Sequence, residues 1–179
     1  MFVALDLPER ARATIAAWRD ELVAGRRDLR PVAPEALHVT LAFLSWQDEA
    51  AAQRIAEAAF GAAAAIGRPR LAADGVRPLP PRGPRLFALD LEDEDERASA
   101  LQAAVSDALE AGGWYRPEKR PFWPHVTLAR VKRGERARPL EGPPAPSESF
   151  EADGLTLYRS TLRPQGAVYE PLARTTLLA

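Results

Sequence analysis

Two histidines occur in this 179-residue chain, and each opens the same pentapeptide, His-Val-Thr-Leu-Ala, once at 38–42 and again at 125–129. Imidazole is the side chain whose ordinary pKa lies nearest neutrality, so a matched pair can supply one proton donor and one acceptor. A lone His-x-Thr is more often a hydrogen-bonded core pair, and an Ala- and Leu-rich composition raises the frequency of short matches. An identity that captures every histidine in the chain points instead to a duplicated unit.

Residues two apart on a strand share a face at a separation of about 7 Å. His38 therefore projects with Thr40 and His125 with Thr127, while the intervening valines and leucines anchor the other side in a core. Two imidazoles and two hydroxyls brought to one cleft suit a tetrahedral anion. Hydroxyls donate to nonbridging phosphate oxygens, one imidazole accepts a proton from water, and the other protonates a departing alkoxide. Each such proton transfer is typically worth about 10² to 10⁴ in rate. No metal is expected: cysteine is absent, and two histidines in separate lobes leave only scattered carboxylates as further ligands. Gly-x-Ser-x-Gly and glycine-rich phosphate loops are missing, so serine-nucleophile and nucleotide-loop chemistry are not supported.

The elements that must carry these strands follow from periodicity and punctuation. Residues 2–5 read as a strand, and Pro8 opens a helix to about Ala24, with Ile15, Ala16, Trp18 and Leu22 buried and Gly25 ending it. Pro31 and Pro34 punctuate the connection into a first motif strand over 38–44. Next come an alanine-rich helix over 48–66, strands over 70–76 and 85–91 joined by a proline-rich loop, and a helix over 93–111. The second motif strand covers 125–131, an exposed loop 139–149, and strands over 150–158 and 168–176 close the chain. This pattern predicts an α+β fold in one domain, 1–179, whose two similar lobes each offer a His-x-Thr strand to a shared cleft.

The formal net charge is −1 and the pI about 6.2, so the chain lacks the global positive field of long, nonspecific nucleic-acid contacts. Charge is nevertheless segregated. Residues 90–96 hold six acids and no base, which reads as a solvated helix start, whereas residues 116–138 hold eight bases against two acids and bracket the second motif. That basic stretch suits local attraction of an anion. The absence of cysteine fits a reducing compartment, the start lacks a basic n-region, and the longest apolar stretch, 58–67, is far too short to span a bilayer. A cytoplasmic monomer with no membrane contact is expected.

Four segments carry a family resemblance: Phe2-Val-Ala-Leu-Asp-Leu-Pro8, Pro34-Glu-Ala-Leu-His-Val-Thr-Leu41, Arg120-Pro-Phe-Trp-Pro-His-Val-Thr-Leu-Ala-Arg130, and Leu157-Tyr-Arg-Ser160 through Tyr169. Nearly end to end, the chain resembles the 2H phosphoesterase superfamily, and within it the bacterial and archaeal RNA 2′,3′-cyclic phosphodiesterases, also called 2′-5′ RNA ligases. The resemblance implies a bilobal fold, two similar lobes of antiparallel sheet with helices packed outside and a central cleft. It also implies cofactor-free hydrolysis of a 2′,3′-cyclic phosphate at the end of an RNA or nucleotide, giving a 2′-phosphomonoester. His38 and His125 would be the acid/base pair, with Thr40 and Thr127 holding the phosphate. The repeat is symmetric and does not by itself separate acid from base; His38 is taken as the base.

The same resemblance implies phosphate contact for Arg130 and base stacking for Phe43, each five residues after its histidine. Strict strand alternation puts both on the face opposite the histidines, so either role requires the strand to twist or end first. Tyr158 has the features of a half-buried strand tyrosine. Where relatives often have an aromatic residue before the position of Val32, this chain has Pro31, which implies an altered substrate grip. Two other readings use the same residues. One is 2′-5′ ligation of tRNA halves, the same chemistry reversed; the other is a non-catalytic module that binds RNA ends, which would have no need of two titratable groups in place of Arg or Lys.

Overall fold

Alternating apolar and polar runs form nine strands, and runs of helical spacing form three α-helices, in the computed structural model, which describes residues 1–163 and 166–179. In chain order these are β1 (Phe2–Asp6), α1 (Glu9–Val23), β2 (Leu29–Pro31), β3 (His38–Phe43), α2 (Ala52–Ala63), β4 (Arg70–Leu79), β5 (Leu86–Asp93), α3 (Arg97–Ala111), β6 (His125–Val131), β7 (Phe150–Glu151), β8 (Gly154–Arg163) and β9 (Gly166–Thr176). Short 3₁₀ turns at Pro34–Ala36 and Glu49–Ala51 precede β3 and α2.

All the pairings are antiparallel, in the order β7-β4-β5-β6-β3-β1-β8-β9, with β2 added to β6. The two motif strands, β3 and β6, are neighbours at the centre. They meet through one pair, Val39 with Val126, and beyond it the same edge of β6 pairs with β2 from Ala129 to Val131. The motif strands thus diverge from their contact point and leave a cleft between the lobes. The sheet is strongly curled. Only Ala152 and Asp153 connect β7 at one end of the strand order with β8 near the other, a span of at most about 11 Å for so few residues.

Val3, Leu5, Val39, Leu41, Val126, Leu128, Leu155 and Leu157 form the apolar face of the sheet and are buried in one core with Ile55, Ala59, Leu101, Val105 and Leu109 of α2 and α3. Each buried Leu or Val is worth about 1.5–3 kcal/mol over leaving it exposed. Helix α3 lies against β3, β4 and β5 with α2 alongside it, and α1 covers β2 and β6. The helices therefore leave the imidazole face open.

Several elements differ from those the sequence predicts: the helix expected over 48–66 is shortened to α2, the strand expected over 70–76 extends to Leu79, and three further differences have a local cause. The helix expected over 93–111 starts at Arg97, because Asp93 ends β5 and caps α3: its carboxylate accepts from the Ala98 amide (3.1 Å), the Ser99 amide (2.8 Å) and the Ser99 hydroxyl (2.7 Å). The acidic run is thus divided between the end of a strand and a cap. The strand expected over 150–158 breaks in two, since its ends pair with different partners, β4 and β1. Strand β2 lies where the sequence predicts only a connection, because three residues are too few to show alternation. Among the described residues no helix is long and apolar enough to cross a membrane.

Candidate active site

Asp6 pairs with His38, Leu5 with Val39 and Ala4 with Thr40, but Val3 pairs with Ala42, so Leu41 is an extra residue in β3. The second lobe repeats this residue for residue: Asp90 pairs with His125, Leu89 with Val126 and Ala88 with Thr127, while Phe87 pairs with Ala129 and leaves Leu128 as the extra residue in β6. A β-bulge of this kind shifts the phase of alternation by one. Leu41 and Ala42 both turn to the core, and Phe43, opposite Phe2, returns to the face of His38 and Thr40. Arg130, opposite Leu86, does the same beside His125 and Thr127. Strict alternation put Phe43 and Arg130 on the opposite face; the bulges overturn that placement, and Phe43 is 59% exposed on the cleft side.

Both imidazoles are anchored alike. His38 Nδ1 donates to the Ala36 carbonyl and His125 Nδ1 to the Trp123 carbonyl, each at 2.8 Å. Because a carbonyl only accepts, Nδ1 carries the hydrogen and Nε2 of the neutral ring keeps its lone pair. His38 Nε2 lies 3.1 Å from the Thr40 hydroxyl, which donates to it. An aromatic ring lies against each imidazole: Phe2 on His38 with centroids 4.8 Å apart, and Trp123 on His125 at 4.1 Å, with the Arg77 guanidinium 4.8 Å from the Trp123 ring. Tyr169 meets His38 edge-on at 5.3 Å, and Tyr158 stacks on Phe2 at 5.2 Å.

This packing has an electrostatic consequence. Burial pushes the His38 imidazolium down to about 4; the Ala36 carbonyl and the Asp6 carboxylate act against that, and repulsion by His125 and Arg130 adds to it. At neutral pH, His38 is an uncharged ring whose unprotonated Nε2 is an acceptor. Asp6 is buried, taking hydrogen bonds from Thr156 (2.6 Å) and Tyr158 (2.8 Å) and an ion pair from Arg174 (3.0 Å). Burial and that bond to Asp6 push the Tyr158 hydroxyl up to about 12, so its proton stays on the phenol oxygen and points at Asp6, and its ring braces Phe2. In the other lobe Asp90 Oδ2 accepts from Arg77 Nε at 2.8 Å.

The structure brings His38, Thr40, Phe43, His125, Thr127 and Arg130 to one face of the sheet. Pro31 lies elsewhere: it pairs with Ala129, which is buried with Leu29 and Phe87, so position 31 belongs to the face away from the imidazoles. An aromatic side chain there would brace β2. The sequence pattern ends a strand just before Asp6 and places Asp90 in a helix start, so neither is expected in the site. The signal was present, because Ala-Leu-Asp-Leu occurs at 4–7 and again at 88–91, a second repeat that runs beside the first. Among the described residues no group of three or more His, Asp or Glu side chains is placed to hold a metal ion.

A curled antiparallel sheet with helices outside and two His-x-Thr strands side by side within is the 2H phosphoesterase fold. The crystal structure of TT0787 of Thermus thermophilus superposes with a TM-score of 0.81 at 31% identity, covering 98% of this chain and 96% of that one. Escherichia coli LigT complexed with 3′-AMP matches with a TM-score of 0.76 at 28% identity over 98% of this chain and 96% of LigT. In sequence, the chain is 33% identical to an RNA 2′,3′-cyclic phosphodiesterase of Thermus thermophilus, over 99% of this chain and 89% of that protein. The profile of the 2′-5′ RNA ligase superfamily matches residues 7–163, and the chain belongs to that superfamily.

Proposed function

We propose that this protein hydrolyses the 2′,3′-cyclic phosphate at an RNA end to a 2′-phosphomonoester, without a metal, and that residues 1–179 act as one domain. The observation that carries this reading is the symmetric convergence of two Nδ1-anchored imidazoles and two hydroxyls on one cleft face. The Thermus thermophilus relative named for this activity supports it.

In this reading neutral His38 is the general base. Its Nε2 takes a proton from water as the water oxygen bonds to phosphorus; the bond from phosphorus to the 3′ oxygen breaks, and the His125 imidazolium gives that oxygen its proton. Exchange with solvent restores both rings. The Thr40 and Thr127 hydroxyls hold the nonbridging oxygens, and Arg130 adds positive charge where negative charge accumulates. Phe43, exposed beside the cleft, offers a platform for the terminal base.

Incubation with a 2′,3′-cyclic nucleotide or oligonucleotide in EDTA tests the reading. Turnover to a 2′-phosphate is expected, with losses of about 10² to 10⁴ for His38→Asn and for His125→Asn. Failure to open any cyclic end removes it. The superfamily match favours a second reading for the same groups, 2′-5′ joining with an RNA hydroxyl in place of water, which paired tRNA halves would reveal as a new junction.

A further inference from the structure

Past the end of β6 lies a groove of about 1240 Å³ lined by Arg30, Arg85, Lys132, Arg133 and Arg136, with Glu135 as the one acid on its walls. Neither histidine lines it. It adjoins the cleft all the same: Arg30 on β2 is paired with Arg130 on β6, so the two share a face, and the groove takes over where the row His125, Thr127, Arg130 ends.

Its walls are built by the backbone. The Val131 amide donates to the Arg85 carbonyl at 2.8 Å, which ties the loop before β5 to the end of β6. The chain then reverses in a turn closed by Glu135 N–H to the Lys132 carbonyl at 3.0 Å, with Gly134 at φ 85°, a conformation that favours glycine. Arg133 lies in that turn and Arg136 directly follows it.

The charges on these walls are unspent. Ten arginines outside the groove are matched to carboxylates, among them Arg26 with Asp28, Arg77 with Asp90 and Arg159 with Glu170. Among the described residues no carboxylate lies within ion-pair distance of Arg30, Arg85, Arg133 or Arg136, which are free to meet an anion. On a chain of net charge −1, five cations against one acid make a local field of opposite sign to the whole. The lining contains no aromatic ring, so it offers nothing for bases to stack on.

We propose that this groove binds the phosphodiester backbone of the RNA strand on the 5′ side of the cyclic end, through charge and without regard to base sequence. The proposal rests on the reading in which the histidine cleft takes the cyclic phosphate. It makes a cyclic oligonucleotide a better substrate than a cyclic mononucleotide, which occupies the cleft alone.

The test compares kcat/KM for a 2′,3′-cyclic mononucleotide and for short oligonucleotides of varied sequence with the same end, in the wild type and in Arg133→Ser/Arg136→Ser. Both arginines are exposed, so the fold is expected to survive. The double variant should match the wild type on the mononucleotide and lose about tenfold on every oligonucleotide, mainly in KM. Its slope of log affinity against log salt should fall by about 1.4, at roughly 0.7 for each phosphate released. Equal losses on both substrates, an unchanged oligonucleotide rate, or competition by polyglutamate as effective as by RNA would overturn the groove assignment. If the wild type opened neither substrate, the cleft reading would fail by itself; anisotropy of a labelled, uncyclised oligonucleotide would then still test the groove, with unchanged binding by the double variant overturning it.

Discussion

Replacing His38 by Asn removes one titrating group while keeping a side-chain N–H that can reach the Ala36 carbonyl, now held at 2.8 Å. In the folded protein the His38 imidazolium is pushed from 6.5 down to about 4, chiefly by burial. The unfolded chain therefore binds more protons than the native one in that window, and stability falls as pH drops through it. The contribution of neutral His38 is intact above about pH 6.5 and is lost progressively down to about pH 4. The penalty works out at about 2 kcal/mol at pH 5 and about 3 kcal/mol once the ring is fully charged. Urea denaturation of the wild type and His38→Asn, followed by tryptophan fluorescence, measures it directly. Whatever Asn costs at pH 7.5 through the lost stack on Phe2 is a constant offset. The gap between the two proteins should move by about 2 kcal/mol in favour of the variant between pH 7.5 and pH 5. Parallel curves for the two proteins would refute the burial argument, and with it the reason for making His38 the base.

Thr40→Val keeps the shape of the side chain and removes one hydroxyl; kcat/KM on a cyclic nucleotide should fall about 10- to 100-fold, and an unchanged value would return Thr40 to a packing role. Asp6→Ala leaves the Thr156 and Tyr158 hydroxyls and the Arg174 guanidinium without their shared acceptor, and urea denaturation should register a loss of about 2–4 kcal/mol. Phe43→Ala, at a side chain 59% exposed, should change stability by no more than about 0.5 kcal/mol while raising KM for a cyclic nucleotide, and a large drop in Tm would mean that the ring packs in the core.

The parts of this molecule that depend on local pattern are readable from the chain. Helices α1 and α3 follow from apolar spacing and their flanking residues, and the two pentapeptides locate β3 and β6 and the face their histidines share. What depends on a partner strand is not readable in the same way. Nothing within His-Val-Thr-Leu-Ala states that Leu41 is skipped; that follows from β1 pairing Val3 with Ala42 and Ala4 with Thr40, and the same is true of Leu128 against β5. The three residues of β2 are too few for periodicity to show, although they put Arg30 next to Arg130. Asp6 and Asp90 are a different case: their tetrapeptide was repeated in plain view, and each was assigned by its immediate neighbours instead of by its counterpart.

The skipped leucines make the bulge, more than residue identity, the fragile property of each motif strand. Straightening the bulge between His38 and Phe43 at unchanged length would restore unbroken alternation, carrying the phenylalanine into the hydrocarbon interior and turning a methyl group towards substrate, although no side chain had been replaced. The same holds between His125 and Arg130, where the casualty would be a guanidinium driven among apolar side chains. Substitution libraries would score these stretches as tolerant at Leu41 and Leu128 for any apolar residue of similar volume. A deletion scan should find removal of Leu41 or Leu128 tolerated as well, since losing the extra residue together with the bulge leaves Phe43 and Arg130 on the face of their histidines.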